Sequence, residues 1–503
     1  MSKGEVPVLV GVGQVVNHWM ATDNLAVAPS PLKMATGAAR RAFVDAGVDL
    51  KSHIDTVAMN RAWDDSVPKP KYANGRNANL PGTLVRDLGL DPDLTIYWEV
   101  GGHAPQDMVN EMARRIYEGT VECALLVGGE AIGATKTARR AGLTLNWGDD
   151  NPREVEDRHK DDWLLNETEI RHGLVAPAFC YALIESAIAA REGRGRIAHR
   201  KAMGALFAPL SEVAAANPYA QNSKALGEED IARETERNFM IADPFLRNMV
   251  AQDNVNQGAA VIMMSEAKAD ALSMAADKRV YLHGGASAKE GNLSHRERLD
   301  RSRAMHAVIP TALAQAGCTA NDISFFDLYS CFPCAVTCAD SALDGAATAS
   351  GQPLTVTGGL PYFGGPGNNY SLHAIASMVE RLRAETGAFG LVTANGGWMH
   401  KEAAGVYSAT RPSNFNPPEP MEVLTDVVEI DPEPRFGTVE GWTIVRARDG
   451  SHTGILSCRT ASGTRFFANP DETGLAILHQ DTSPVGRSVS VTSKGGVNTA
   501  TFT

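Results

Sequence analysis

The stretch ARRAFVDAGVDLKSHIDTVAMN (39–60) returns in altered form as IPTALAQAGCTANDISFFDLYS (309–330). Both carry A-x-x-x-A-G, at Ala42, Ala46 and Gly47 and again at Ala312, Ala316 and Gly317, 270 residues apart at all three positions. Each copy continues through an acidic turn to an Ile and then an apolar run. An alanine-faced helix ended by glycine and followed by a strand is an α/β unit. A second, looser pair keeps the same order. Helix 105–117 leads to ALLVGGE (124–130), and helix 371–385 leads to GLVTANGG (390–397). A-x-x-x-A-G alone is common in alanine-rich helices. Two pairs in one order predict a duplicated α/β core.

Outward from the repeat, Val8 to Val16 predicts a strand and Pro31 to Gly47 a helix. Met108, Val109, Met112 and Ile116 mark one face of the next helix, and Glu122 to Gly129 predicts a buried strand. Residues 130–250 are helix-rich and charged, with NPREVEDRHKDD (151–162) as a solvated loop; this predicts an insertion that shapes a site on the α/β core. RPSNFNPPEP (411–420) holds four prolines and no periodicity, which predicts a stiff linker. Beyond it, TVEGWTIVRA, GILSCRT and TRFFAN are separated by the turn dipeptides Asp449-Gly450 and Ser462-Gly463. The expected organisation is a first half over 1–275 with the insertion at about 130–250, a second half over 276–410, the linker, and a small antiparallel all-β barrel or sandwich of the OB type over 421–503.

Composition narrows the function. The 503 residues hold 47 Lys and Arg against 59 Asp and Glu, a net charge of −12. That balance disfavours nucleic acid and anionic membranes as partners. Hydrophobic content of 44% with 21% charged is globular. No apolar run approaches the ~20 residues of a membrane span. The start, MSKGEVPVLVGVGQVV, reads as a strand rather than a signal peptide. Seven cysteines suit a reducing cytoplasm and free thiols. Cys331, Cys334 and Cys338 form a C-x2-C-x3-C run without a second Cys/His pair at metal spacing, so they read as structural thiols and no metal is expected.

Six motifs then fall in one order: VGVGQV (10–15), NPYA (217–220), NQGAAVIMMSEAKA (256–269), FFDLYSCFPCAV (325–336), GGLPYFGGPGNN (358–369) and TANGGWM (393–399). In this order the chain resembles the thiolase superfamily from residue 6 to about 410. It is most similar to the sterol-carrier-protein type and to thiolase-like proteins with an added C-terminal domain. The resemblance implies a duplicated five-layer α/β fold with an inserted loop domain. It also implies an acyltransferase class and a coenzyme A thioester as substrate or ligand, with no covalently bound cofactor.

The reacting positions depart from the family. The nucleophilic Cys at the start of the helix before ECALLVGGE falls at Gly102, in VGGHAPQ. The H-E-A-F or H-D-C-F loop reads Tyr329-Ser330-Cys331-Phe332, the G-H-P motif reads Gly364-Gly365-Pro366, and the late C-x-G cysteine falls near Ala394. Two-step thiolysis through an acyl-cysteine therefore does not carry over. The candidate catalytic residues are Tyr329, His400, His103 and Cys331. Gly102, Gly364, Gly365, Asn368, Gly396 and Gly397 are candidate substrate-binding positions. The glycine loop before helix 371–385 offers backbone N–H groups to a thioester oxygen or phosphate, or serves as a plain connection. No Walker loop, dinucleotide fingerprint, Ser-His-Asp set or H-E-x-x-H is present.

Three functions stay open. The first is an acyl-CoA-binding protein of the acyltransferase class. The second is a non-covalent C–C lyase acting through Tyr329 with His103 or His400. The third is a catalytically silent acyl-CoA carrier or scaffold. The partner expectation is a homodimer, or a protein partner held by the C-terminal domain.

Overall fold

The computed structural model describes residues 4–67, 72–159, 165–421, 428–447, 449–480 and 482–503. Residues 160–162 of the expected solvated loop, 422–427 of the expected barrel region and the first three residues of the expected first strand lie outside the described residues.

In chain order the strands are β1 (Pro7–Val16), β2 (Thr56–Met59), β3 (Leu94–Tyr97), β4 (Cys123–Glu130), β5 (Glu156–Asp157), β6 (Met240–Ala242), β7 (Phe245–Leu246), β8 (Gln257–Ser265), β9 (Val280–Lys289), β10 (Ile323–Asp327), β11 (Phe389–Gly396) and β12 (Lys401–Ser408). Ten of them form one sheet in the order β10-β11-β12-β9-β1-β8-β4-β2-β3-β5. The duplication is visible in the ladders. β1 pairs antiparallel with β8, β8 antiparallel with β4, and β4 parallel with β2. β9, β12, β11 and β10 repeat those three pairings with the same senses. The halves meet where Val8 and Leu9 pair with Tyr281 and Val280.

The repeated helices also match in detail. Pro31–Ala46 and Arg303–Ala316 both start at a serine cap, Ser30 and Ser302, whose hydroxyl accepts from the third residue on at 3.1 Å. Both end on a left-handed glycine, Gly47 at φ 75° and Gly317 at φ 67°. They pack close because the strand beneath supplies glycine at the crossing. A Cβ on Gly11 would stand 2.5 Å from the Ala42 carbonyl, and one on Gly284 would meet the Ala312 carbonyl in the same way. The A-x-x-x-A spacing is thus a contact stripe that lets helix lie on sheet.

Two further helices, Ala104–Tyr117 and Tyr370–Ala384, touch strands of both halves, whereas the repeated helices each cover their own half. Counting the two halves of the sheet as separate layers, helix, half-sheet, helices, half-sheet and helix make five layers. Strands buried on both faces need continuous apolar runs, and β4 and β8 are buried throughout. At one end of the sheet β5 covers the edge of β3, with Ile96 opposite Glu156 and Tyr97 opposite Asp157.

A small closed barrel follows: β13 (Phe436–Arg446), β14 (His452–Arg459), β15 (Arg465–Pro470), β16 (Ser488–Lys494) and β17 (Val497–Phe502), with a helix at Glu472–Leu478. The strand order is β14-β15-β17-β16-β13, and β13 closes on β14. One expectation changes here. The barrel is not wholly antiparallel, because β15 and β17 run parallel. The insertion is helix-rich as expected and adds the β6–β7 hairpin, which joins β13 through Ala242 and Val445. The insertion helix Pro177–Arg191 lies against the barrel, where Trp442 N donates to Ser186 Oγ at 2.8 Å. The proline segment is packed rather than free, with Phe415 buried against Tyr117 at 5.8 Å.

All seven cysteines are free. Among the described residues no helix is long and apolar enough to cross a membrane.

Candidate functional site

The two inner helices begin at the same place. Gly101, Gly102 and His103 lead into Ala104–Tyr117, and Ser371 Oγ at the start of Tyr370–Ala384 donates to Gly102 O at 2.9 Å. The segment after β10 and the end of β11, neighbouring parallel strands, close over this point. Helix N-termini and strand ends meet there, the usual place for chemistry on an α/β core.

Four glycines at this point have their side-chain space filled by aromatic rings. A Cβ on Gly102 would collide with the Tyr329 hydroxyl and stand 2.6 Å from the Asn395 carbonyl. A Cβ on Gly396 would collide with His103 Nδ1, and one on Gly101 would stand 2.5 Å from the same atom. A Cβ on Gly397 would run into the His400 ring. The structure thus brings together Gly102, Tyr329, His103, Gly396, Gly397 and His400.

Tyr329 is fixed from several sides. Its N–H donates to Thr393 Oγ1 at 3.0 Å, and its ring stands edge-on to Tyr370 at 5.4 Å. The Tyr370 hydroxyl donates to Asp327 Oδ1 at 3.1 Å, while Asp327 Oδ2 accepts from the Thr355 and Thr357 hydroxyls and from Val356 and Thr357 N–H. Burial pushes the Tyr329 phenol well above its ordinary pKa. It is a proton donor here, not a base.

Cys331 is 8% exposed, and burial pushes its thiol up to about 12. Asn395 Nδ2 reaches its sulfur at 3.8 Å and donates to Tyr181 Oη at 3.0 Å. The Tyr181 ring stacks on Phe332 at 4.4 Å. His400 turns back on its own loop, where its Nδ1 accepts from Trp398 N at 3.1 Å. Burial, then Lys401 and Arg296, hold its imidazole well below the ordinary pKa, so it is neutral. The loop is strained at Met399, a non-glycine residue at φ 62°, while Gly397 takes the same φ freely. Arg296 Nη2 holds it by donating to Trp398 O and Met399 O at 2.8 and 2.6 Å. Arg465 of the barrel donates in turn to Leu293 O and Ser294 O at 3.0 and 3.1 Å, and also to Arg296 O.

His103 is 2% exposed. Its Nε2 faces Glu99 Oε1 at 3.3 Å, while its Nδ1 is buried without a partner. Glu99 also takes Lys289 at 2.8 Å and Lys401 at 3.1 Å. Burial alone would raise the Glu99 carboxyl, but His103, Lys401 and Lys289 outweigh it and hold the group well below the usual carboxylate range. Glu99, His103 and Asp107 offer ligand atoms within 4.8 Å of one another. Two lysines already on Glu99 disfavour a cation there. His103 also lines a groove of about 650 Å³ with Trp98, Glu99, Asp107 and Lys289.

The remaining candidates lie in other contacts. Gly365 N donates to Gln252 O at 2.8 Å, and a Cβ on Gly364 would stand 2.6 Å from Gln257 Oε1. Asn368 Nδ2 donates to Arg61 O and Ser66 Oγ at 2.9 and 2.8 Å. Their contacts tie the glycine loop to the first half. Sequence reading missed Glu99, Arg296, Tyr181, Asn395 and Glu402. A charged pair opening an apolar run, Lys401 and Glu402 in KEAAGVYS (401–408), was the one available signal.

Comparison with known proteins fits this geometry. The model of the thiolase-like protein type 1 additional C-terminal domain matches residues 421–496. A monomeric SCP2-thiolase-like protein type 1 from Mycobacterium smegmatis superposes with a TM-score of 0.81 at 34% identity, covering 100% of both chains. An Ltp2-ChsH2(DUF35) aldolase has a TM-score of 0.60 at 17% identity, covering 81% of this chain and 99% of that one. Human mitochondrial 3-ketoacyl-CoA thiolase has a TM-score of 0.57 at 14% identity, covering 82% and 100%. The last two share the fold alone. No curated protein matches the chain. With its sequence related end to end to the mycobacterial protein and the added domain matched on its own, the chain belongs to the SCP2-thiolase-like protein type 1 family.

Proposed function

We propose that this protein binds an acyl-CoA thioester and does not carry out thiolysis. The observation that carries the reading is the Tyr329 hydroxyl lying where a side chain on Gly102 would begin. Thiolysis in two steps needs a thiolate to hold the acyl group. Position 102 has no nucleophile, and a phenol fills the space. The thiol of Cys331, pushed up to about 12, is no substitute. The acyltransferase resemblance is one of fold rather than of reaction. The ligand is a coenzyme A thioester, with no covalent cofactor.

A second reading, non-covalent C–C cleavage of an acyl-CoA, is favoured by one arrangement. A protonated phenol, Tyr329, and an imidazole nitrogen without a partner, His103 Nδ1, flank the Gly101–Gly102 segment. An acid and a base placed so are what such a cleavage requires. We read the barrel as OB type from its strand order. It is the surface for any protein partner, the alternative being a homodimer, and the sparse free cysteines suit the cytoplasm.

Calorimetric titration with acetyl-CoA and acetoacetyl-CoA tests binding. Incubation with acetoacetyl-CoA and free CoA, followed by intact-mass analysis, tests the chemistry. Binding without turnover or acyl adduct is expected. Brisk thiolysis with an acetyl group on Cys331 would restore a true transferase, and absence of binding would end the acyl-CoA reading.

A further inference from the structure

Buried polar atoms keep a hydrogen-bond partner in roughly nine cases of ten or more. Around the 395–402 turn several do not: Glu402 Oε1, His103 Nδ1, Trp398 Nε1, and Arg296 Nε and Nη1. Among them, the ladder register sets Glu402 on the face that carries the Tyr329 centre. It stands opposite Asn395 between β11 and β12. Directly opposed residues of an antiparallel pair leave the sheet on one face. Asn395 uses that face to reach Tyr181 and Cys331.

Two further observations agree. Glu402 is 1% exposed. Ionisation of Glu402 would disfavour ionisation of Tyr329, Tyr181 and Cys331. Burial, with Glu290 adding to it and Arg296 opposing, raises its carboxyl well above the ordinary range. An O–H therefore faces the centre, as with other carboxylic acids kept neutral in apolar sites to donate a hydrogen bond.

We propose that Glu402 is a catalytic residue of this centre, its carboxyl O–H donating a hydrogen bond to the carbonyl oxygen of a bound acyl thioester. The proposal deepens the acyl-CoA reading and rests on it. No covalent bond forms or breaks at Glu402, and its proton stays on the carboxyl. The thioester oxygen accepts, electron density moves toward it, and the adjacent carbon–hydrogen and carbon–carbon bonds weaken. That polarisation is common to enolisation and to C–C cleavage without an acyl-enzyme.

The probe is acetyl-CoA labelled with carbon-13 at the thioester carbonyl, read by difference infrared spectroscopy. On binding the wild-type protein the labelled carbonyl band should move to lower frequency, and an un-ionised carboxyl band of the protein should move with it. Glu402→Gln should shrink the carbonyl shift and remove the carboxyl band. Glu402→Met should abolish both. Binding with an unshifted carbonyl overturns this proposal and leaves the acyl-CoA reading standing; no binding overturns both. A full shift in Glu402→Met also overturns it, because Tyr329 or another donor would then be responsible. Should neither variant fold, the wild-type protein can still refute the proposal. A carbonyl shift without a moving carboxyl band refutes the assignment.

Discussion

The hydroxyl of Tyr329 lies where the side chain of residue 102 would begin, so the two positions compete for one volume. Any side chain at 102 must displace the phenol, and any change at 329 opens space beside Gly102. Gly102→Ala should therefore destabilise the protein by about 1–3 kcal/mol, the usual cost of overpacking. Adding Tyr329→Phe should recover part of the loss. Recovery stays incomplete because the Asn395 carbonyl, 2.6 Å from the same Cβ position, cannot retreat as easily. Urea denaturation of the two single variants and the double variant measures the coupling. Simple additivity would mean the two groups do not share the space.

Cys331 should be a poor nucleophile. A thiol at about 12 is ionised to roughly one part in ten thousand at pH 8, and this one is buried as well. Alkylation by iodoacetamide should be slow in the folded protein and become fast in urea. Cys331→Ser should leave thioester binding unchanged. Rapid labelling of Cys331 in the native state would contradict this picture.

Glu99 should govern stability on the acid side. Its folded carboxyl sits well below the usual range because of His103, Lys401 and Lys289, against its burial. The stability it contributes is present above about pH 4.3, the unfolded carboxylate value, and is lost as pH falls toward the folded one. Glu99→Gln should remove this acid-side dependence. At pH 7 it should cost about 1–3 kcal/mol, because Lys401 would stay buried with its charge unbalanced while Lys289 has water to turn to. Thermal melts from pH 3 to 8 give both quantities.

Glu130 has the opposite sign. It is 2% exposed, and burial raises its carboxyl well above the ordinary range, with Asp64 and Asp65 adding to the effect. The folded chain keeps this proton above pH 4.3 while the unfolded chain releases it, so stability falls as pH rises. Glu130→Gln keeps the oxygen that accepts from Trp63 N at 2.8 Å and removes the titration. It should gain about 1 kcal/mol or more at pH 8 and flatten the alkaline slope. A variant less stable than the parent at pH 8 would show that Glu130 is ionised.

The fold was largely legible because its signals are local. Ser30 and Gly47, like Ser302 and Gly317, cap a helix through neighbours within three residues. Ala42 and Ala312 mark the helix faces that touch Gly11 and Gly284. Gly102 and Tyr329 could be found by counting from such elements. Glu99 could not, because its role is created by Lys289 and Lys401, 190 and 302 residues away. Glu402 acquires its role from standing opposite Asn395 in an antiparallel ladder, and its neutrality from the layers around it. The parallel pairing of β15 with β17 was equally hidden, since turn dipeptides announce hairpins and say nothing of which hairpins lie side by side.

β5 has a consequence for how this molecule meets others. It is two residues long, both acidic, and it is the last strand at its end of the ten-stranded sheet. Arg158, next along the chain, lies over Trp98 at 4.0 Å and binds Glu111, so the segment is anchored at its far side. In polymer terms β5 is a chain terminator. A strand from another molecule arriving here finds neither a long row of backbone donors nor an uncharged edge to extend. At this end, recognition must be written in side chains rather than in backbone, and backbone-driven fibre growth has no starting point.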